Sequence, residues 1–102
     1  MSEKNEIKRD GAKAQKNSGR GKIAKGDAQW REFVVDYKEY GKGFSISRDV
    51  WAKICTDAWK VDRDKHPLLK LILGAGAHKT RLAVIEFSVL EDILERLEEL
   101  DG

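Results

Sequence analysis

Between Lys25 and Lys38 the chain reads Lys-Gly-Asp, a short polar segment, then Phe-Val-Val-Asp-Tyr-Lys, and this stretch limits the possible folds more than any other. The β-branched content of the apolar run Phe33, Val34, Val35 predicts a strand. Residues two apart on a strand share a face, so Asp36 and Lys38 project together while Tyr37 points the other way. Upstream, Asp27 precedes Ala28-Gln29-Trp30, a segment able to pair antiparallel with that strand across a turn near Arg31-Glu32. Two carboxylates and an ammonium then meet on one sheet face.

Like charges gathered inside a fold are costly unless something compensates them, and a divalent cation between Asp27 and Asp36 does so. Hard oxygen ligands suit magnesium, with manganese as a substitute, and the main-chain carbonyl of Tyr37 offers a further ligand oxygen. Lys38 stays close enough to hold a water or a phosphate oxygen. Such a set can hydrolyse a phosphodiester: the ion stabilises phosphoryl charge and acidifies a bound water, which the lysine orients or deprotonates.

The order Ser18-Gly19-Arg20, Lys25-Gly26-Asp27, Asp36-x-Lys38 resembles the PD-(D/E)xK nuclease superfamily and, within it, the small phage and archaeal Holliday-junction resolvases. A Ser-rich helix start, a Pro-initiated strand and a closing strand follow in the expected order, so the resemblance spans roughly residues 12 to 87. Gly26 stands where the name-giving Pro often sits, and Asp36 replaces the commoner Glu, one methylene shorter with the same charge. The resemblance implies an α/β fold of restriction-endonuclease-like type, a central mixed β-sheet flanked by helices. It also implies an N-terminal helix that brings a glutamate to the metal, a role for which Glu6 is chosen and Glu3 is the alternative. Asn17, Ser18 and Arg20 are the implied substrate contacts, joined by Lys22 and Lys25 on phosphates. Ser18 would bind the scissile phosphate without acting as a nucleophile.

Charge is unevenly spread behind a net value of +2. Residues 1 to 25 carry eight basic side chains against three acidic ones, and residues 86 to 102 carry seven acids against Arg96 alone. The basic end suits a polyanion such as DNA or RNA, because each phosphate contact releases condensed counterions. It suits a solvated tail equally well over Lys4 to Lys8. At 102 residues the chain is one domain with a modest core, so a homodimer is expected. A single cysteine, Cys55, excludes an internal disulfide and fits a reducing compartment. No apolar run reaches the length of a membrane span and no secretion signal is present, so a soluble intracellular protein is expected.

Along the chain, residues 1 to 10 form either a short helix or a disordered arm, and residues 12 to 26 read as a glycine-rich basic loop. Glu39 to Phe44 reads as a loop, and Ser47 N-caps a helix whose buried stripe is Val50, Trp51, Ile54 and Ala58, with Cys55 at its margin. Pro67 ends the following connection. Two strands, Leu68 to Leu73 and Arg81 to Phe87, come next as a hairpin covered on both faces. Ser88-Val89-Leu90-Glu91 is a capping box opening a last helix, whose stripe Leu90, Ile93, Leu94, Leu97, Leu100 either packs on the sheet or forms a dimer interface.

Together these readings lead to magnesium-dependent endonucleolytic cleavage of DNA, branched DNA such as a four-way junction above all, by a homodimer. An endonuclease acting on ordinary duplex DNA, of restriction, nicking or homing type, is the first alternative. A non-catalytic nucleic-acid-binding module is the second.

Overall fold

The computed structural model describes residues 2–17 and 22–101. Five strands form one mixed sheet in chain order, with helices on both sides. Helix α1 (Ser2–Asp10) leads into strand β1 (Lys13–Asn17), which pairs antiparallel with β2 (Lys22–Trp30). The segment read as a glycine-rich loop is therefore largely a strand pair. Its Lys-Ala-Gln-Lys-Asn half carries little intrinsic strand preference, and pairing with β2 imposes the conformation. The two elements are joined by residues outside those described.

Strand β2 turns through Arg31 and Glu32 into β3 (Phe33–Tyr40), and the two pair antiparallel with Trp30 opposite Phe33. Arg31 takes a positive φ of 55°, uncommon for a side-chain-bearing residue. Strand β3 runs to Tyr40, so Glu39 and Tyr40 belong to the sheet and the following loop starts at Gly41.

Helix α2 (Arg48–Val61) begins where Ser47 was expected to cap it: the Ser47 side chain accepts from the Val50 N–H at 3.1 Å. It returns the chain so that β4 (His66–Leu73) lies parallel to β3, with Phe33 opposite His66 and Tyr40 opposite Leu73. The His66 N–H donates to the Glu32 carbonyl at 2.9 Å, fixing the start of β4 beside the β2–β3 turn. Gly74 ends β4 at φ 98°. A Cβ there would stand 2.8 Å from the His78 carbonyl oxygen, so this tight connection requires glycine.

Strand β5 (Thr80–Val84) closes the sheet antiparallel to β4. It is shorter than expected and mostly exposed, because it is an edge strand and, among the described residues, no helix packs on it as extensively as α2 packs on β4. Alternation divides the core. Ala28, Val35, Tyr37, Leu68 and Ile72 pack with Ile7, Ala12, Trp30 and Phe33 on the α1 side. Val34, Leu69 and Leu71 are buried on the side of Ile54, Cys55 and Ala58 of α2.

Helix α3 (Phe87–Asp101) departs from expectation twice. It starts one residue before Ser88, with the Glu86 carbonyl accepting from the Val89 and Leu90 N–H groups. Its apolar stripe is only partly covered: Leu90 and Ile93 are partly buried, while Leu94, Leu97 and Leu100 are at least half exposed, as is Phe87 at the helix start, and the buried residue is Val89, outside the stripe. The opposite flank, exposed as well, borders the start of β4. Asp92, Glu95, Arg96 and Glu99 line a cleft with Glu32 and His66, and Arg96 makes a two-pronged ion pair with Glu32 at 3.0 and 3.1 Å.

Candidate functional site

Asp27 and Asp36 are direct partners in the β2–β3 ladder. Directly opposed residues on neighbouring strands share a face, so the short hairpin brings the two carboxylates together as the spacing predicted. Lys38, two residues on, turns the same way and its Nζ lies 3.5 Å from Asp36 Oδ2.

The electrostatics of Asp27 report the crowding. Its carboxyl is pushed up to about 7, first by burial and then by the charges of Asp36 and Asp57; Lys38 and Lys53 only partly offset this. Asp57 and Lys53 come from α2, paired with each other at 3.1 Å one helical turn apart. This contribution of α2 was not anticipated. Lys53 and Asp57 were visible as an i, i+4 pair, but nothing in the sequence says which strand that helix face overlies.

The donor set suits a hard cation. Two carboxyl groups are forced together, and the partly buried Asp27 resists ionisation because Lys38 and Lys53 do not fully offset its burial and its acidic neighbours; a divalent ion between them would supply the missing charge. Among the described residues, however, no group of three or more His, Cys, Asp or Glu side chains is gathered to hold an ion. Asp27, Asp36 and the Tyr37 carbonyl are therefore the protein donors to consider, with water completing the shell.

Glu6 is the correction among the expected ligands. Tyr37 points away from Asp36, and Glu6 lies on Tyr37's side of the sheet, buried at 3 % exposure. Arg81 grips it through Nε and Nη2 at 2.9 and 3.0 Å, and Lys70 Nζ lies 3.0 Å from Oε1. The Arg81 hydrogen bond and the Lys70 contacts outweigh burial and hold Glu6 at about 2. Lys70 also reaches both oxygens of Asp10 at 2.7 and 2.9 Å, and the Tyr37 hydroxyl donates to Asp10 at 2.9 Å. Burial would raise the Asp10 carboxyl, but Lys70 and Tyr37 hold it below the usual range. Glu6 is thus a structural anion in a closed network, and the sheet separates it from the aspartate pair. Glu3 lies on the same helix, and its side chain is outside the described ones.

Ser18 and Arg20 fall outside the described residues. Asn17 and Lys22 are opposite one another at the connected end of the β1–β2 pair, and Lys25 is on β2 two residues before Asp27. Lys22 and Lys25 lie on the strand that leads to Asp27, and Asn17 lies on its neighbour β1.

No family model, curated protein or solved structure matches this chain. Its five-stranded mixed sheet flanked by helices places it in the α/β class.

Proposed function

We propose that the protein is a metal-dependent endonuclease that hydrolyses DNA phosphodiester bonds, with branched DNA such as a Holliday junction as its substrate. The observation that carries this reading is the in-register opposition of Asp27 and Asp36 with Lys38 at 3.5 Å on the same face. The order of elements agrees with what the nuclease resemblance implies: an N-terminal helix, a carboxylate-bearing hairpin, a helix, then later strands and a closing helix. A restriction-endonuclease-like fold belongs to the same proposal.

When bound, magnesium would supply charge stabilisation at the phosphoryl oxygens and a more acidic water. Asp27 and Asp36 would hold the ion. Lys38, kept near Asp36, would orient the attacking water or move its proton. Lys22 and Lys25 on β2, with Ser18 and Arg20, would hold the strand by its phosphates. A homodimer in which each subunit cuts one strand is part of the reading, and the outward stripe of α3 supplies an apolar surface for the second copy.

The test is incubation with a labelled four-way junction and with its linear arms, with and without magnesium. The junction is expected to be cut only with the metal, and Lys38→Ala to slow cutting by at least about a hundredfold while binding stays within about threefold. Equal loss of both would remove the chemical role given to Lys38. Equal cutting of the linear arms would make the enzyme a duplex endonuclease. Binding without scission in magnesium or manganese would make the protein a non-catalytic module.

A further inference from the structure

The face that carries Asp36 and Lys38 continues along β3 to Tyr40, since residues 36, 38 and 40 project together. Tyr40 ends the strand 41 % exposed. The chain then turns through Gly41, Lys42 and Gly43 and brings Phe44 back against it. The two rings lie 5.1 Å apart with planes only 12° from parallel. Lys38 Nζ stands 5.8 Å from the centre of the Phe44 ring, while its other neighbour is Asp36 at 3.5 Å. Lys42, at the apex of this turn, is exposed.

Phe44 backs one face of the Tyr40 ring, Tyr40 remains 41 % exposed, and the side chains of Lys38 and Lys42 bring positive charge to the same end of the strand. The aromatic surface matches a nucleobase and the ammonium groups match the phosphates that flank it. Tyr40 lies four residues from Asp36, about 13 Å along the strand at the usual rise, which is a few nucleotides of backbone. We propose that Tyr40, backed by Phe44, forms a stacking platform for an unpaired nucleobase of the strand whose phosphate would lie beside Lys38 at the ion held by Asp27 and Asp36. A base inside a duplex has both faces covered by its neighbours, so the platform favours single-stranded or opened positions. The inference rests on the nuclease reading for the placement of the strand and deepens it by naming what part of a branched substrate is recognised.

The test is fluorescence anisotropy without metal, so that no cutting is required. The probes are a labelled single-stranded DNA oligonucleotide, the same oligonucleotide with abasic positions, and the corresponding duplex. The wild-type protein is expected to bind the base-bearing strand at least about fivefold more tightly than the abasic one. Tyr40→Leu and Phe44→Leu are expected to lose that preference while duplex binding holds, and Tyr40→Phe to keep it. Equal binding of base-bearing and abasic strands by the wild type would overturn the platform. So would a Tyr40→Leu variant that melts at a lower temperature yet retains the preference, which would make the stack a clasp for the turn. Strand scission with magnesium without any base preference would sink the platform and leave the nuclease reading standing. A base preference without scission would do the reverse.

Discussion

Glu6 and Asp27 are both carboxylates removed from bulk water, and their surroundings drive them in opposite directions. Glu6, gripped by Arg81 and Lys70, sits at about 2 instead of 4.5. A carboxylate depressed in the folded state contributes stability that is present above its unfolded value and lost as pH falls through the folded one. Glu6→Gln is therefore expected to cost roughly 3 kcal/mol at neutral pH, since it breaks a buried pair, and to remove part of the acid sensitivity. Urea unfolding at neutral and acidic pH checks this, and metal-dependent cutting is expected to stay unchanged because Glu6 lies across the sheet. Asp27 has the reverse sign. Raised from 3.8 to about 7, it gives stability that is full below pH 4 and declines as pH rises through 7, where the folded state holds a proton the unfolded chain has released. Asp27→Asn is expected to stabilise the metal-free protein by roughly 1–2 kcal/mol above pH 7 and to flatten that decline. Magnesium must displace the same proton, so its affinity for the wild type is expected to climb as pH passes 7. Thermal melts and magnesium titrations across that range would detect both, and parallel profiles for wild type and variant would reject them.

Elements differ in how openly the sequence declares them. The β2–β3 hairpin was legible because a β-branched run fixes a strand and period two fixes which side chains share its face, so the Asp27, Asp36, Lys38 grouping followed from local rules. Ser47 and helix α2 were legible from cap chemistry and helical spacing, although Cys55, expected at the margin of the stripe, is buried while Val50 and Trp51 are only partly so. Strand β1 was not, because Lys13 to Asn17 show no alternation of apolar and polar residues and the strand exists through its pairing with β2. Glu6 was misplaced because its partner Arg81 lies 75 residues away, and local pattern cannot reveal such a contact. The stripe of α3 was legible, but its cover was not: Leu90 and Ile93 are partly buried and Leu94, Leu97 and Leu100 stay open, while the exposed Arg96 pairs with Glu32 at the β2–β3 turn. If a second copy covers those leucines, Leu94→Lys with Leu97→Lys is expected to convert a dimer into a monomer in sedimentation. Each protomer's own stability should change by no more than about 0.5 kcal/mol per site, since both side chains are about half exposed. An unchanged mass would reject that interface.

Across the whole molecule the sheet separates two polar groupings. The α1 side holds Glu6, Asp10, Tyr37, Lys70 and Arg81 in mutually satisfied contacts, while the other side presents opposed carboxylates near α2. The aspartates share one hairpin closed by two residues, whereas β3 reaches β4 only after the long excursion through α2. Short-range closure precedes long-range closure when a chain collapses, so the aspartates confront each other before the crossover is in place. Their repulsion then falls on the barrier to folding as well as on the finished state. Because burial, the first cause of the raised Asp27 carboxyl, is incomplete at that stage, refolding of the wild type in stopped flow is expected to quicken as pH falls toward the ordinary carboxylate range, with Asp27→Asn removing the difference. Should both chains refold at the same pH-independent speed, the hairpin zips late. The place where the molecule would do its chemistry would then be the last part of it to assemble.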